Sequence, residues 1–125
     1  MSFLDRLLRR TEKAGSVRGN EQAVLVHLDG SSLPAEVCEQ NDIATIEDRI
    51  IAALAGKGLG EYDGNEIGIG TGEATLYLYG PDAEALFALV EPVLAGYPLC
   101  RNARVVIRKG GPGASQREIR LLAVS

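Results

Sequence analysis

From residue 23 onward the apolar positions alternate between two periods, and that alternation predicts the fold. Ala23–Leu28 (AVLVHL) is a β-branched run of strand length, with Val24, Val26 and Leu28 on one side and Leu25 and His27 on the other. Asp29-Gly30-Ser31-Ser32 is turn chemistry, and Leu33–Cys38 reads as a weaker extended segment that Pro34 restricts to a sheet edge. Behind Asn41-Asp42, Ile43, Ile46, Ile50, Ile51 and Leu54 recur at helical spacing, with Thr45 and Asp48 as an alternative capping pair one turn later. Gly56 and Gly58 end that helix. Period 2 returns over Glu66–Gly80. A two-residue turn at Thr71-Gly72 sets Ile69 against Ala74, Ile67 against Leu76, Gly68 against Thr75 and Glu66 against Tyr77. Centring the turn one residue earlier sets Asn65 against Leu76, and is rejected on that ground. Seven of the 15 glycines lie between Gly56 and Gly72, so the first strand of this hairpin is expected to kink or bulge. Pro81-Asp82 open a second helix to roughly Leu94, with Leu86, Leu89, Val90, Val93 and Leu94 inward and Pro92 kinking its last turn. Arg104–Lys109 and Arg117–Val124 are two closing strands around the loop Gly110–Ala114.

The order β-(β)-α-β-β-α-β-β contains the split β-α-β-β-α-β unit of a ferredoxin-like two-layer sandwich, an α+β fold with two helices on one face of an antiparallel sheet. Two regions are expected. Residues 1–20 form an N-terminal amphipathic helix and linker, with Phe3, Leu4, Leu7 and Leu8 on one stripe of the helix, Arg6, Arg9, Arg10 and Lys13 opposite, and Gly15, Ser16, Gly19 and Asn20 beyond it. Residues 21–125 form a single α+β domain with the last strand as a C-terminal addition.

Such a sandwich leaves one sheet face without helices, and parity decides what that face displays. His27, Glu66, Tyr77, Tyr79, Arg104 and Arg108 fall there, beside Thr75 and Val106. Tyrosine and arginine give large, rigid contact area with polar tips, the side chains enriched at binding hot spots. The competing reading is that the N-terminal helix or the C-terminal strand covers this face and the tyrosines only pack.

Composition sets the class. A 125-residue chain with 46% hydrophobic and 24% charged residues is ordinary globular material, large enough to fold without a metal or disulfide. Cys38 and Cys100 make no disulfide framework and have no metal-ligand spacing. No signal-peptide core stands over residues 1–8 and no apolar run approaches the ~20 residues of a membrane span, so a cytoplasmic location is expected. The formal net charge of −4 is segregated: +3 over residues 1–20, −12 over 21–100 and +5 over 101–125. An acidic body disfavours nucleic acid and favours a basic protein partner, or pairing of the basic ends within the chain. A homodimer is compatible with this pattern. Residues 1–16 on a membrane surface are the weaker reading, because the stripe is short.

Candidate chemistry is sparse. His27 is the only histidine, with no nucleophile elbow or local Cys or Ser context for catalysis. Glu61, Asp63 and Glu66 crowd the acidic bend GEYDGNE. Asp63 and Asn65 mimic the first calcium-loop ligands, but Ile67 and Ala74 stand where oxygen ligands are required, so no metal and no cofactor is expected. Gly110-Gly111-Pro112-Gly113, flanked by Lys109 and Arg117, lacks the phosphate-loop spacing and reads as a hairpin loop. Tyr77 and Tyr79 alternate like the base-stacking aromatics of RNA-recognition domains, but LYLYG lacks the basic and glycine residues of that motif.

The runs Gly60–Glu66 (GEYDGNE), Gly72–Ala83 (GEATLYLYGPDA) and Glu91–Leu94 (EPVL) resemble a block of small uncharacterised bacterial proteins, over about residues 45–110. The resemblance implies no activity and no catalytic residues. In size and acidity the chain is also similar to bacterial immunity or regulator proteins, a likeness of class only. The expected function is therefore a non-catalytic protein-binding module, immunity-like or a regulatory inhibitor of a basic partner. Its rival is a small enzyme or a ligand- or metal-binding protein using the acidic bend 61–66 and His27.

Overall fold

In the computed structural model, residues 21–68, 73–111 and 113–121 are described. The expected helix and linker of residues 1–20, the turn at Thr71-Gly72 and the last residues of the closing strand lie outside them. The described chain is an α+β fold of five antiparallel strands and three helices. They run in the order β1 (Gln22–Asp29), α1 (Ala35–Gln40), α2 (Ile43–Leu54), β2 (Glu61–Ile67), β3 (Glu73–Gly80), α3 (Ala83–Ala95), β4 (Arg104–Arg108) and β5 (Gln116–Arg120). The sheet order is β2-β3-β1-β4-β5.

The alternation in β1 does what its composition requires. Val24, Val26 and Leu28 are buried and meet Leu78, Leu76 and Ala74 of β3; Val24 and Val26 also meet Ile107 and Val105 of β4. Over this surface lie Ile46, Ile50 and Leu54 of α2 and Leu86, Phe87, Val90 and Leu94 of α3, completing one core. Each of these large apolar side chains contributes about 1.5–3 kcal/mol of transfer free energy, before the cost of ordering it. Both long helices start on an aspartate. Asp42 accepts from the Thr45 N–H at 2.8 Å, which selects the earlier of the two caps, and Asp82 accepts from the Glu84 and Ala85 N–H groups. Pro92 is tolerated in the last turn of α3 because the carbonyl it leaves without a donor belongs to exposed Ala88.

Two expectations are corrected. The segment Leu33–Cys38 is not an edge strand: Pro34 occupies the N-cap and Ala35–Gln40 is α1. Proline's fixed φ suits a helix start as well as an edge, and Ala35, Glu36, Glu39 and Gln40 are helix formers. Asn41 closes the turn by donating to the Val37 carbonyl at 2.9 Å.

The central hairpin also has a different register. Ile67 pairs with Ala74, Glu66 with Thr75, Asn65 with Leu76 and Gly64 with Tyr77, which is the alignment rejected for placing a polar residue beside Leu76. The objection fails because α2 supplies a partner. Glu47 Oε2 accepts from the Asn65 amide at 2.8 Å and from the Tyr62 hydroxyl at 2.5 Å. Ile67, expected inward beneath the helices, is 59% exposed.

The acidic run is accordingly a strand and not a bend. Its expected irregularity is a bulge between Tyr62 and Gly64, where Gly64 takes φ of 111°. A close approach fixes its entry: a Cβ on Gly80 would lie 2.2 Å from the Leu59 carbonyl oxygen.

On β5, Arg117 makes a two-pronged pair with Glu84 of α3 at 2.7 and 2.5 Å, and Lys109 adds a third contact at 3.3 Å. The Arg117 fork lowers the Glu84 carboxyl from 4.5 to about 2.

Two tests follow from this packing. Leu76→Asp and Leu78→Asp are each expected to abolish the cooperative melt, while Tyr77→Ser on the opposite face shifts Tm by a few degrees at most, measured by circular dichroism. For the ion pair, a depressed carboxyl pKa gives stability that is full above the unfolded value and is lost as pH falls through the folded one. Glu84→Gln should therefore lower Tm slightly at pH 7, and the difference from the unaltered protein should disappear between pH 4.5 and about 2.

Candidate functional site

The side of the sheet that no helix among the described residues covers, called the helix-free face below, carries the residues that parity selected, and the register arranges them in rows. One row runs Glu66–Thr75–His27–Arg104–Arg120 from β2 to β5. The next runs Gly64–Tyr77–Leu25–Val106–Glu118, and the third Glu61–Tyr79–Ala23–Arg108–Gln116. All six candidate residues (His27, Glu66, Tyr77, Tyr79, Arg104 and Arg108) thus share one face. The two-residue difference in hairpin register leaves this unchanged, because side chains alternate with period 2.

The face is graded in charge. Glu61 and Glu66 stand on β2 with Asp63 in its bulge; Tyr77, Tyr79, Leu25 and His27 form the middle; Arg104, Arg108 and Arg120 lie on β4 and β5. The arginines are oriented from within. Arg104 pairs with Glu118 at 2.8 Å, while Arg108 donates to the Gly110 carbonyl and Arg120 to that of Asn102. Burial raises the Tyr79 pKa, reinforced by the Asp63 carboxylate and opposed by Arg108, so its hydroxyl stays protonated at neutral pH.

His27 and Thr75 share a hydrogen bond, Nδ1 to Oγ1 at 3.0 Å. Burial lowers the imidazole pKa and the Arg104 charge lowers it further, against smaller opposing effects of Glu118 and Glu73. His27 stands between Thr75 and Arg104 in its row, and these effects hold its imidazole toward the neutral form. A Cys–His arrangement is not assembled. Cys38 lines a cavity with Leu28 and Ala74 on the helix side, and Cys100 is buried with its thiol pushed up to about 12.

His27, Thr75, Asn102, Arg104 and Arg120 also line a cavity of about 180 Å³ with Asp29 and Glu73 at the end of the face. Thr75, Glu118, Arg120 and Asn102 were not among the candidate residues. The outward parity of Thr75 was readable, but placing Arg120 and Glu118 required the β4–β5 register. Asn102, with φ of 60°, follows from a turn that the sequence does not announce.

The other chemistry resolves simply. Glu61, Asp63 and Glu66 lie along a strand, and among the described residues no three His, Cys, Asp or Glu side chains group to hold a metal ion. The cations beside the glycine loop, Lys109 and Arg117, both engage Glu84, which draws them away from a phosphate in that loop. Among the described residues no helix is long and apolar enough to cross a membrane. No protein-family model, curated protein or solved structure matches the chain.

Because His27 is the only histidine, its imidazole gives one proton titration curve by NMR. A midpoint below 6.5 is expected, and Arg104→Gln should move it upward, since removing a neighbouring positive charge favours the protonated ring.

Proposed function

We propose that the helix-free face is the working surface of a non-catalytic, cytoplasmic protein-binding module whose partner is basic, with an immunity-like or regulatory inhibitor as its most concrete form. One observation carries the reading: an acidic strand edge borders two half-buried tyrosines on a face that no described helix covers. A basic partner meets Glu61, Asp63 and Glu66 by charge and Tyr77 and Tyr79 by contact area. The framework we infer is ferredoxin-like. Supporting it are the antiparallel run β4-β1-β3-β2, α2 placed between β1 and β2, and α3 placed between β3 and β4; α1 and β5 are additions to that pattern.

The alternative, a small enzyme or ligand-binding protein using the acidic strand with His27, draws on the cavity at His27. That cavity brings His27 to Arg104 and Arg120 but does not include Glu61, Asp63 or Glu66, so the two halves of the alternative are not joined.

Photo-crosslinking tests the face reading in cells. A benzoylphenylalanine in place of Tyr77 should trap a basic protein, and the same group in place of Ala52, exposed on α2, should not. Equal trapping at both positions, or none at Tyr77, overturns the assignment of the face.

A further inference from the structure

The cavity at His27 lies where β4 stops and its neighbours continue. β1 and β3 run on to the pair Asp29–Glu73, one row beyond His27–Thr75, whereas β4 begins at Arg104, opposite His27. Continuing that register would set position 102 against Asp29. Asn102 instead takes φ of 60°, turns the chain aside, and accepts from Arg120 on its carbonyl at 3.1 Å. In the place of a strand neighbour for Asp29 stands the cavity of about 180 Å³.

Its walls carry both signs of charge in separate places. By register Glu73 and Asp29 hold the outer row on β3 and β1, while Arg104 and Arg120 hold the next row on β4 and β5, beyond His27. Asp29 and Arg104 are diagonal neighbours, with backbones about 7–8 Å apart. They do not pair with each other. Asp29 Oδ1 accepts from the Ser31 N–H at 3.1 Å, and Arg104 and Arg120 each give one N–H, to Glu118 and to the Asn102 carbonyl. A guanidinium has five N–H donors, so both forks keep donors for a ligand, and the exposed Arg104–Glu118 pair contributes little. Two carboxylates and two guanidiniums balance, and His27 is held toward neutral by burial and by Arg104. Such a lining repels a ligand of either single sign and accepts one that carries both. The volume is that of about six water molecules at about 30 Å³ each, well below the ~300 Å³ at which drug-sized pockets begin. Leu28 and Ala74, both buried, supply its apolar lining.

We propose that this cavity binds a small zwitterion, an α-amino acid with a short apolar side chain. The ammonium group meets Asp29 and Glu73, the carboxylate takes the forks of Arg104 and Arg120, and the side chain lies against Leu28 and Ala74. An ammonium and a carboxylate on one carbon, with a charge-assisted hydrogen bond of about 2.8 Å at each end, bridge a gap of the diagonal's size. The site shares His27 and Arg104 with the face proposed for a protein partner. It does not use Glu61, Asp63, Glu66 or the tyrosines, and it does not rest on that reading.

Amide NMR of the full chain tests this, with the ring of the only histidine as a second reporter. L-Alanine and L-valine should give saturable shifts, half-complete on the order of 1 mM, centred on residues 27–29, 73–75 and 102–104. Propionate and isopropylammonium, which carry one charge each, should bind at least about tenfold more weakly. Arg104→Gln and Asp29→Asn should each weaken L-alanine binding by about tenfold or more. The asparagine keeps an acceptor for Ser31, and the two variants lie on opposite sides of the cavity, so a folding defect in one leaves the other informative. Shifts that stay linear with both amino acids, or L-alanine binding that neither variant weakens, overturn the proposal. Propionate or inorganic phosphate binding as tightly as L-alanine would make this an anion site and overturn it equally. The crosslink at position 77 is independent of these titrations, so either reading can fail without the other.

Discussion

The pleat of β1 is the constraint on which the rest of this structure depends. It is the central strand, paired antiparallel on both sides, so its parity is imposed on β3 and β4 through continuous registers. Once Val24, Val26 and Leu28 are committed to the helices, Leu25 and His27 have one remaining direction, and Tyr77, Tyr79, Val106 and the outer arginines follow them. A one-residue slip of β1 would bring His27 beneath α2 and α3 and expose three large apolar side chains. The candidate site is thus the other side of the same hydrophobic requirement that closes the core.

Electrostatics then divides the face. The acidic edge on β2 and the basic strands β4 and β5 are separated by up to four strand spacings, about 19 Å, against a screening length of about 8 Å at physiological salt. The two ends therefore do not neutralise one another, and an incoming surface meets two local fields with an aromatic strip between them. The basic strands are already engaged: Arg104 with Glu118, Arg117 and Lys109 with Glu84, Arg108 and Arg120 with main-chain carbonyls. Of these contacts, those of Arg117 and Lys109 reach a carboxylate of the acidic body. Each exposed pair contributes little alone, but together they attach β5, whose outer edge has no neighbouring strand among the described residues, to α3 and β4.

What was legible in the sequence was parity, and what was not was register. Alternation in AVLVHL, LYLY and RVVIR assigned His27, Tyr77, Tyr79, Arg104 and Arg108 to one face, because period 2 is read one residue at a time, while Glu66 followed from the hairpin pairing. Register depends on long-range partners. The pairing of Asn65 with Leu76 looked prohibitive until Glu47, 18 residues earlier on α2, supplied an acceptor for its amide. The glycine excess correctly signalled a bulge, but it could not say that the bulge falls at Asp63 and turns an apparent acidic bend into an edge strand. The misreading of α1 has a local cause: a proline before a six-residue segment satisfies both edge-strand and helix-start rules, and six residues carry too little periodicity to decide.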